Sequence, residues 1–317
     1  MAGAWLGTIA RVLLQDSRFL VTGGAGFIGS HVVERLLTES VAEVVALDLA
    51  FDNENLAVVS SDPRLRLETG DVRDVEALGR AMKGIDGVFH LAVLPLGPCI
   101  DDPRLCLEAN VVGTFNVLEA AQAAGVQKVV FSSASSVYGD TDETMDERQP
   151  LDAWTMYGAS KIAGEYFLRA FHDRYGLDFV TLRYMNVYGP RQQGGLVVNV
   201  AKRILAGERP TISGDGSQSF DFVHVADVAD ANVAAMRSDV TADAFNVGSG
   251  REASVREIVE QLLRLTSSDV EPEYRAEERV LMRRRVGSSE KAERLLAWSA
   301  THSLEDGLRE VLEAVAA

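Results

Sequence analysis

Short runs of β-forming residues, hydrophobic almost throughout, alternate with helical patterns between residues 18 and 184. The runs are RFLVT (18–22), EVVALD (43–48), GVFHLA (87–92), KVVFSS (128–133) and FVTLRY (179–184), and the helical patterns fall near 28–39, 74–83, 103–124 and 157–175. A strand without a polar face must be covered on both sides, and helices between such strands are typical of a parallel sheet. The sequence therefore predicts an α/β fold built on a doubly wound parallel sheet.

The pattern changes after Gly189, in the loop YGPRQQGG. Helical patterns then fall near 196–206, 226–237, 254–266, 289–296 and 303–316, separated by the strand-like runs PTI, FDFVHV and AFNVG. We expect a smaller C-terminal α/β lobe that closes over the carboxyl ends of the sheet. The expected boundaries are an N-terminal extension (1–17), a sheet domain (18–185) to which segments near 221–248 return, and the lobe (186–317).

Composition narrows the class of protein. A chain of 317 residues with 47% hydrophobic and 25% charged residues is typical of a folded globular protein. The net charge of -16 argues against a general binder of nucleic acid or of an anionic membrane, because both partners require a basic face. The two cysteines, Cys99 and Cys106, lie in a chain without secretory features, so we interpret them as small buried residues of a cytoplasmic protein rather than a disulfide framework.

The first 17 residues are apolar, but Arg11 and Asp16 interrupt them well short of a membrane span. Trp5, Ile9, Val12 and Leu13 fit one face of a short helical extension, which could instead contact a partner subunit.

The segment VTGGAGFIGSHVVERLL follows the first run and opens the first helix. Gly23, Gly26 and Gly29 allow the backbone to turn tightly and to approach a pyrophosphate, whose charge is stabilised by free amides at the helix N-terminus. The second run ends in Asp48, where a carboxylate accepts both ribose hydroxyls and repels a 2′-phosphate. Together these features predict a Rossmann-type site for NAD rather than NADP.

Tyr157 and Lys161, in YGASK, are four residues apart at the start of a strong helical pattern, so both side chains project from one face. An ammonium beside a phenol favours the phenolate and lowers its pKa from about 10. Such a pair is suited to removing a hydroxyl proton while hydride leaves the same carbon. Taken alone, the motif could equally be a solvated helix face.

These motifs in this order resemble the extended short-chain dehydrogenase/reductase family, specifically its NAD-dependent nucleotide-sugar epimerases and dehydratases. The resemblance runs from about Arg18 to the C-terminal SLEDGLRE. It is carried by the glycine loop, Asp48, GDV with Asp71, HLA with His90, the SSxxSVYG strand end, YGASK and NVYGPRQ.

The resemblance implies a set of contacts to NAD, which the 18–185 domain would bind. The expected cofactor residues are Gly23, Gly26, Phe27, Ile28 and Gly29 at the pyrophosphate, Asp48 at the adenosine ribose, Asp71 and Val72 at the adenine, and Leu91, Ala92 and Tyr184 along the rest of the cofactor. Tyr157 would be the catalytic base, and Lys161 its partner and a ligand of the nicotinamide ribose. Asn186 would reach the diphosphate of the substrate, and Asn110 would support the active site.

The chain departs from the family at the strand end FSSASSVYG. The family places a catalytic serine or threonine three residues before the valine of VYG, and that position is Ala134. Local irregularity could bring Ser135 or Ser136 to the sugar as a catalytic hydroxyl, or Tyr157 and water alone could hold the C4 hydroxyl. Ser135 and Ser136 also occupy the places of the acidic residues that the resemblance implies for dehydratases and decarboxylases.

A second departure is Phe220, in GDGSQSFDFVHV, where relatives typically have an arginine that holds the substrate diphosphate. Phe220 could stack on a base or sugar, or could simply pack. The alternative source of positive charge for the substrate is the cluster Arg283, Arg284 and Arg285, since a guanidinium fork suits phosphate oxygens. Arg283 is the member that we expect to contact the substrate. A solvated surface run is the competing interpretation for at least two of the three.

The sequence thus predicts an NAD-dependent nucleotide-sugar 4-epimerase acting through a transient 4-keto sugar, with a UDP-hexose or UDP-hexuronate as substrate. A 4,6-dehydratase, decarboxylase or 4-keto reductase is the alternative within the family, and an NAD-binding regulatory protein without turnover is the alternative of another class. No histidine lies at metal-ligand spacing, so no catalytic metal is expected. The family implies a homodimer formed through the helices near 103–124 and 157–175, in which Val117, Leu118, Phe167 and Leu168 could lie either at the interface or in the core.

Overall fold

The computed structural model describes residues 12–52, 54–276 and 283–316. Trp5 and Ile9 of the expected helical extension lie outside these residues. Residues 12–17 contain no helix; Val12 is buried in the core and Leu13 is exposed.

The described residues contain strands and helices that follow the predicted alternation closely. The strands are β1 Arg18–Thr22, β2 Glu43–Asp48, β3 Leu65–Thr69, β4 Gly87–His90, β5 Lys128–Ala134, β6 Asp178–Tyr184, β7 Asn186–Tyr188, β8 Thr211–Ser213, β9 Ser219–His224, β10 Asp243–Val247, β11 Glu252–Ser254, β12 Glu273–Arg275 and β13 Arg284–Arg285. The helices are α1 Phe27–Leu37, α2 Val75–Ala81, α3 Leu96–Asp101, α4 Pro103–Cys106, α5 Gly113–Ala124, α6 Met156–Tyr175, α7 Leu196–Leu205, α8 Val225–Arg237, α9 Val255–Thr266, α10 Glu290–Leu296 and α11 Leu304–Ala316. A π-helical stretch, Leu107–Val112, joins α4 to α5.

The large sheet has seven strands in the order β10-β6-β5-β4-β1-β2-β3, all parallel. The order reverses beside β1, as in a doubly wound sheet, and leaves a crevice at the carboxyl ends of β1 and β4. The predicted α/β Rossmann-type fold is confirmed. Within this sheet, only β3 was not predicted. β10 belongs to the sheet although its sequence falls within residues 186–317, and it lies in the stretch near 221–248 that was expected to return.

Both faces of the sheet are buried, which explains why its strands are apolar throughout. Phe19 and Val21 of β1 point into one core with α1 and α8, whereas Leu20 points into the other with α2, α5 and α6. The helices therefore hold the carboxyl edge of the sheet rigidly, and that edge carries the motifs.

The smaller lobe begins at the same edge. β7 follows β6 after one residue, Met185, and pairs with β9, which also pairs with β11 and β13; β8 pairs with β12. A separate apolar core forms between this sheet and the helices α7, α9 and α11.

Cys99 and Cys106 are fully buried, as expected, but the structure joins them in a disulfide. The expectation that they stay unpaired is therefore wrong. They approach because α3 and α4 fold back on each other over seven residues, a local geometry that composition does not reveal.

Among the described helices, none is both long enough and apolar enough to cross a membrane.

Candidate active site

The glycine turn closes the carboxyl end of β1. Gly23 has a positive φ of 70°, and a Cβ on it would lie 2.8 Å from the amide nitrogen of Ala92. A Cβ on Gly29 would lie only 1.9 Å from the carbonyl oxygen of Gly23, so the turn and α1 can approach each other only without side chains. The N-cap residue, Gly26, places no side chain on the first amides of α1. These amides are available to an anion such as a pyrophosphate.

Asp48 ends β2 beside this turn. Its Oδ2 accepts a hydrogen bond from the amide of Ala25 at 2.9 Å, and its Oδ1 accepts one from the amide of Leu49 at 2.8 Å. The two backbone donors fix the carboxylate but leave lone pairs for two hydroxyls.

A cavity of about 600 Å³ lies along the carboxyl edge of the sheet. It brings together every residue expected to contact the cofactor: Gly23, Gly26, Phe27, Ile28, Gly29, Asp48, Asp71, Val72, Leu91, Ala92, Tyr157, Lys161 and Tyr184. Ala134 also lines it. The glycine cradle, the free helix amides and the ribose-type carboxylate along one cavity fit a dinucleotide in an extended conformation.

Lys161 lines the cavity and is held in place by the end of β5. Its Nζ donates a hydrogen bond to the carbonyl oxygen of Ser132 at 2.7 Å and lies 5.8 Å from the centre of the Tyr157 ring. Burial lowers the pKa of Lys161 to about 7. Lys161 is thus poised between its charged and neutral forms near neutral pH.

The electrostatics of Tyr157 differ from the expectation. Burial raises the pKa of Tyr157 to about 12, and the charge that opposes this shift is that of Arg285. The expected lowering of this pKa by Lys161 is wrong, because desolvation of the phenolate outweighs the opposing charge of Arg285.

The serine hydroxyls on either side of Ala134, in FSSASSVYG, have different surroundings. Ser133 lines the cavity, and it donates its hydroxyl hydrogen to Oε1 of Glu165 at 2.5 Å. Ser135 and Ser136 lie in a buried 3₁₀ turn, Ser135–Tyr138, and neither lines the cavity. Within residues 12–52, 54–276 and 283–316, the Oγ of Ser136 has no hydrogen-bond partner. The catalytic role expected for Ser135 or Ser136 therefore stays a prediction.

Glu165 belongs to a buried polar network that the sequence did not reveal. Its carboxylate accepts two hydrogen bonds from Arg183, at 3.0 and 2.7 Å, and Arg183 donates a further one to the hydroxyl of Tyr138 at 2.8 Å. The available signal was an arginine inside the otherwise apolar run FVTLRY. The network links α6, which carries Tyr157, to the two strands beneath it.

Asn110 supports the cavity wall, as expected. Its Oδ1 accepts a hydrogen bond from the amide of Leu94 at 2.7 Å, and its Nδ2 donates to the Leu94 carbonyl at 3.0 Å and to the Ser160 hydroxyl at 3.1 Å. Asn110 lies in the π-helical stretch Leu107–Val112, a type of distortion that is frequent at functional sites.

The three other residues expected at the substrate lie on or next to the smaller sheet. Asn186, on β7, is partly exposed and does not line the cavity, although its neighbours Met185 and Val187 both do. Phe220, on β9, packs edge-on against Phe222 and the core of the lobe.

Of the three consecutive arginines, Arg283 is exposed and Arg284 pairs with Glu252 at 2.9 Å. Arg285 is the buried member, although Arg283 was the residue expected at the substrate. In the described part of the chain, no group of three or more His, Cys, Asp or Glu side chains could hold a metal ion.

A phenol and an amine on one helix, facing a dinucleotide-shaped cavity, define an enzyme that oxidises and reduces an alcohol carbon. The chain belongs to the NAD dependent epimerase/dehydratase family, whose family model matches residues 19–248.

Three similar proteins illustrate what this chain resembles. The chain is 36% identical over 305 residues to a UDP-glucose 4-epimerase of Mycolicibacterium smegmatis, covering 93% of this chain and 97% of the relative. The crystal structure of a UDP-glucose 4-epimerase from Thermotoga maritima with UDP-glucose superposes with a TM-score of 0.88 at 33% identity, covering 94% of this chain and 98% of the other. A UDP-glucuronic acid 4-epimerase from Bacillus cereus, in complex with UDP-glucuronic acid and NAD, superposes with a TM-score of 0.88 at 29% identity, covering 94% and 99%.

Proposed function

We propose that this chain is an NAD-dependent nucleotide-sugar 4-epimerase whose substrate is a UDP-hexose or a UDP-hexuronate. The observation that carries the proposal is the position of Tyr157 and Lys161 in the same cavity as the glycine turn and Asp48. The named relatives, which act on UDP-sugars at C4, support the choice of substrate class.

Bound NAD would supply the hydride acceptor, and in its reduced form the hydride donor, for oxidation and reduction at C4. Tyr157 takes the proton of the C4 hydroxyl at its Oη and returns it after the 4-keto sugar has turned. Tyr157 must be a phenolate to take that proton, and because burial raises its pKa to about 12, the phenolate depends on nearby positive charge. We expect this charge from Arg285 and from the protonated form of Lys161, whose Nζ lies 5.8 Å from the centre of the ring.

The cavity wall around the reacting carbon is apolar and keeps water from the intermediate. Leu91, Val93, Leu94 and Pro95 line this wall, and Asn110 holds Leu94 in place by its backbone. Exclusion of water matters because the 4-keto sugar must remain bound while it rotates.

Two alternatives to epimerisation can be distinguished by whether a product forms and by what it is. A dehydratase or decarboxylase needs an acidic group beside the sugar, and Ser135 and Ser136 stand in the places expected for it. A regulatory protein is suggested by the absence of a hydroxyl at Ala134, and would bind NAD without turnover.

The test uses the purified full chain with UDP-glucose, UDP-galactose and UDP-glucuronate in separate reactions, with products identified by NMR. We expect bound NAD in the purified protein and a product that differs from the substrate only in configuration at C4. Tyr157→Phe should abolish turnover while retaining the cofactor, since this hydroxyl makes no hydrogen bond to the described part of the chain that would be lost. A protein that carries no NAD(H), and binds none when it is supplied, contradicts the proposal.

We further propose a cytoplasmic homodimer. Val117, Leu118 and Leu168 are fully buried within the subunit and are not available to a partner. The outer face of α5 and α6 still exposes Phe115 by 40% and Tyr166 by 65%, which supports an interface there. The molar mass measured by light scattering tests this arrangement, and Tyr166→Glu should shift a dimer toward monomer.

A further inference from the structure

The disulfide between Cys99 and Cys106 lies directly behind one wall of the cavity. Residues 91–95 line the cavity and lead into α3, and Leu105 of α4 lines it as well. The bond joins these two helices into an α3–α4 hairpin, residues 96–106. Because the chain contains only these two cysteines, any cysteine redox chemistry of the protein takes place at this pair.

The two cysteines anchor the hairpin to the rest of the molecule. Both side chains are fully buried, whereas the other residues of the hairpin are exposed or, in the cases of Leu96 and Leu105, half-buried. A segment with so few buried contacts opens at a much lower free energy than the whole domain. Local opening of the hairpin therefore gives a small thiol access to sulfur atoms that the closed structure covers.

Asn110 connects the sulfur atoms to the cavity wall. Its Nδ2 lies 3.5 Å from Sγ of Cys99 and 3.6 Å from Sγ of Cys106. The same nitrogen donates hydrogen bonds to the carbonyl oxygen of Leu94, at 3.0 Å, and to the hydroxyl of Ser160 on α6, at 3.1 Å. One side chain thus contacts the disulfide, the wall and the helix that carries the proposed base.

Reduction changes the hydrogen bonding at this point. Sγ of Cys99 lies 3.2 Å from the carbonyl oxygen of Leu94, and as a disulfide sulfur it carries no hydrogen to donate. A thiol at the same place donates to that oxygen and competes with Asn110 for it. Two thiols also need more space than one disulfide, and extra volume in a fully buried position shifts the backbone around it. Reduction should therefore displace Leu94 and loosen the hairpin.

We propose that Cys99 and Cys106 form a reversible oxidation site, which holds the cavity wall closed when oxidised and loosens it when reduced. Reduction is thiol–disulfide exchange with a dithiol. One thiolate of the dithiol attacks the sulfur of one cysteine and displaces the other cysteine as a thiolate, and the second thiol then displaces the first cysteine. The dithiol leaves as a disulfide, and its two electrons and two protons pass to the cysteine pair. A disulfide oxidant reverses the exchange.

The inference goes beyond the proposed function, and only its effect on turnover rests on that function. The proposed cytoplasmic location agrees with a reversible bond, because disulfides in a reducing cytoplasm are usually transient and catalytic or redox-sensing. A loosened wall admits water and lets the 4-keto sugar leave before hydride returns, so the reduced form should be the slower enzyme.

The first experiment follows the bond and the hairpin without reference to turnover. The purified full chain is incubated with dithiothreitol or with glutathione disulfide, thiols are counted after acid quenching and unfolding, and amide hydrogen exchange is measured by mass spectrometry. We expect dithiothreitol to release both thiols. Exchange in peptides covering residues 91–110 should then become about tenfold faster or more, while peptides covering β1 and α1 keep their rates. Glutathione disulfide should restore the bond and the slow exchange.

The second experiment measures kcat/KM for C4 inversion of UDP-glucose in the oxidised and reduced forms of three proteins: wild type, the double variant Cys99→Ser with Cys106→Ser, and Ile100→Ser. The oxidised wild type should exceed the reduced wild type by about tenfold, since small displacements at a site are costly. The double variant carries two hydroxyl donors in place of thiols, so it should match the reduced wild type and respond to neither reagent. Ile100→Ser is the matched control on the exposed side of the hairpin, and should respond as wild type does.

The outcomes separate this proposal from the proposed function. A bond that dithiothreitol does not cleave in the folded protein, or that glutathione disulfide does not form, would overturn the oxidation site. Unchanged hydrogen exchange in residues 91–110 after reduction would also overturn it. If exchange responds but no UDP-sugar is inverted in either state, the oxidation site stands and the proposed function fails. Equal turnover in both states overturns control of the wall, while the proposed function stands.

Discussion

The missing hydroxyl at Ala134 leads to a direct prediction. Ala134 ends β5 in an extended conformation, with φ −148° and ψ 153°, pairs in register with Tyr184 and lines the cavity. Of the neighbouring hydroxyls, that of Ser133 is donated to Glu165, and Ser135 lies in the buried turn that follows β5. Ala134→Thr would add a hydroxyl at the position where the family carries one.

The expected gain follows from one hydrogen bond to the reacting oxygen. A neutral hydrogen bond contributes about 0.5–1.5 kcal/mol and one to a charged group about 1.5–3 kcal/mol. At about 1.4 kcal/mol per factor of ten, a bond formed as the C4 oxygen loses its proton should raise kcat by roughly tenfold. The assay is the initial rate of C4 inversion at saturating substrate, followed by NMR.

Ala134→Val is the control, because valine has the shape of threonine without the hydroxyl. It should show no gain, and a β-branched residue at a strand end should not disturb the fold. Ser136→Ala tests whether its unsatisfied hydroxyl acts in place of the missing one, in which case kcat should fall. Equal rates for Ala134→Thr and Ala134→Val, at or below wild type, would refute the placement of this strand end beside C4.

Three further predictions concern stability and the cofactor. Glu165→Ala leaves the charge of Arg183 buried without its carboxylate, so the free energy of unfolding in urea should fall by about 3–5 kcal/mol. The control, Glu260→Ala on an exposed helix face, should change it by no more than about 0.5 kcal/mol. Burial lowers the pKa of Lys161 to about 7, so the unfolded chain holds this proton more tightly than the folded chain. The free energy of unfolding of wild type should therefore rise between a pH of about 7 and about 10.4, and the stability advantage of Lys161→Met over wild type should decrease over that range. Gly29→Ala should abolish NAD retention, because its Cβ would lie 1.9 Å from a carbonyl oxygen of the glycine turn; Gly79→Ala, with nothing within 4 Å, should retain NAD and be slightly more stable.

The large sheet could be predicted because its strands are short, apolar and separated by strongly periodic helices. The exception is β3, which is an edge strand and alternates leucines with Arg66 and Glu68. An edge strand needs burial on fewer sides, so its sequence carries a weaker signal. Its pairing with β2 is decided by the neighbouring strand rather than by its own composition.

The residues expected at the cofactor could be predicted to lie together because most of them belong to local motifs at the carboxyl ends of strands, and they do line one cavity. The polar network of Glu165 and Arg183 could not, since its members come from α6 and β6 and meet only after both have packed on β5. The same holds for the arginine cluster. Arg284 and Arg285 point to opposite faces of β13, and which of the two is buried depends on the register of β13 on β9; Arg283 lies before the strand and is exposed.

Position 134 and Arg285 both affect the chemistry of Tyr157. A hydroxyl at position 134 would stabilise the C4 oxygen through a directional hydrogen bond, whereas Arg285 stabilises the phenolate through charge, which depends much less on orientation. In a 4-epimerase the sugar presents opposite faces before and after it turns, so a stabilising effect that is insensitive to orientation serves both half-reactions. If this reasoning holds, Arg285→Met should lower turnover, and adding Ala134→Thr should recover part of it, because the added hydroxyl stabilises the C4 oxygen that the weakened base must deprotonate.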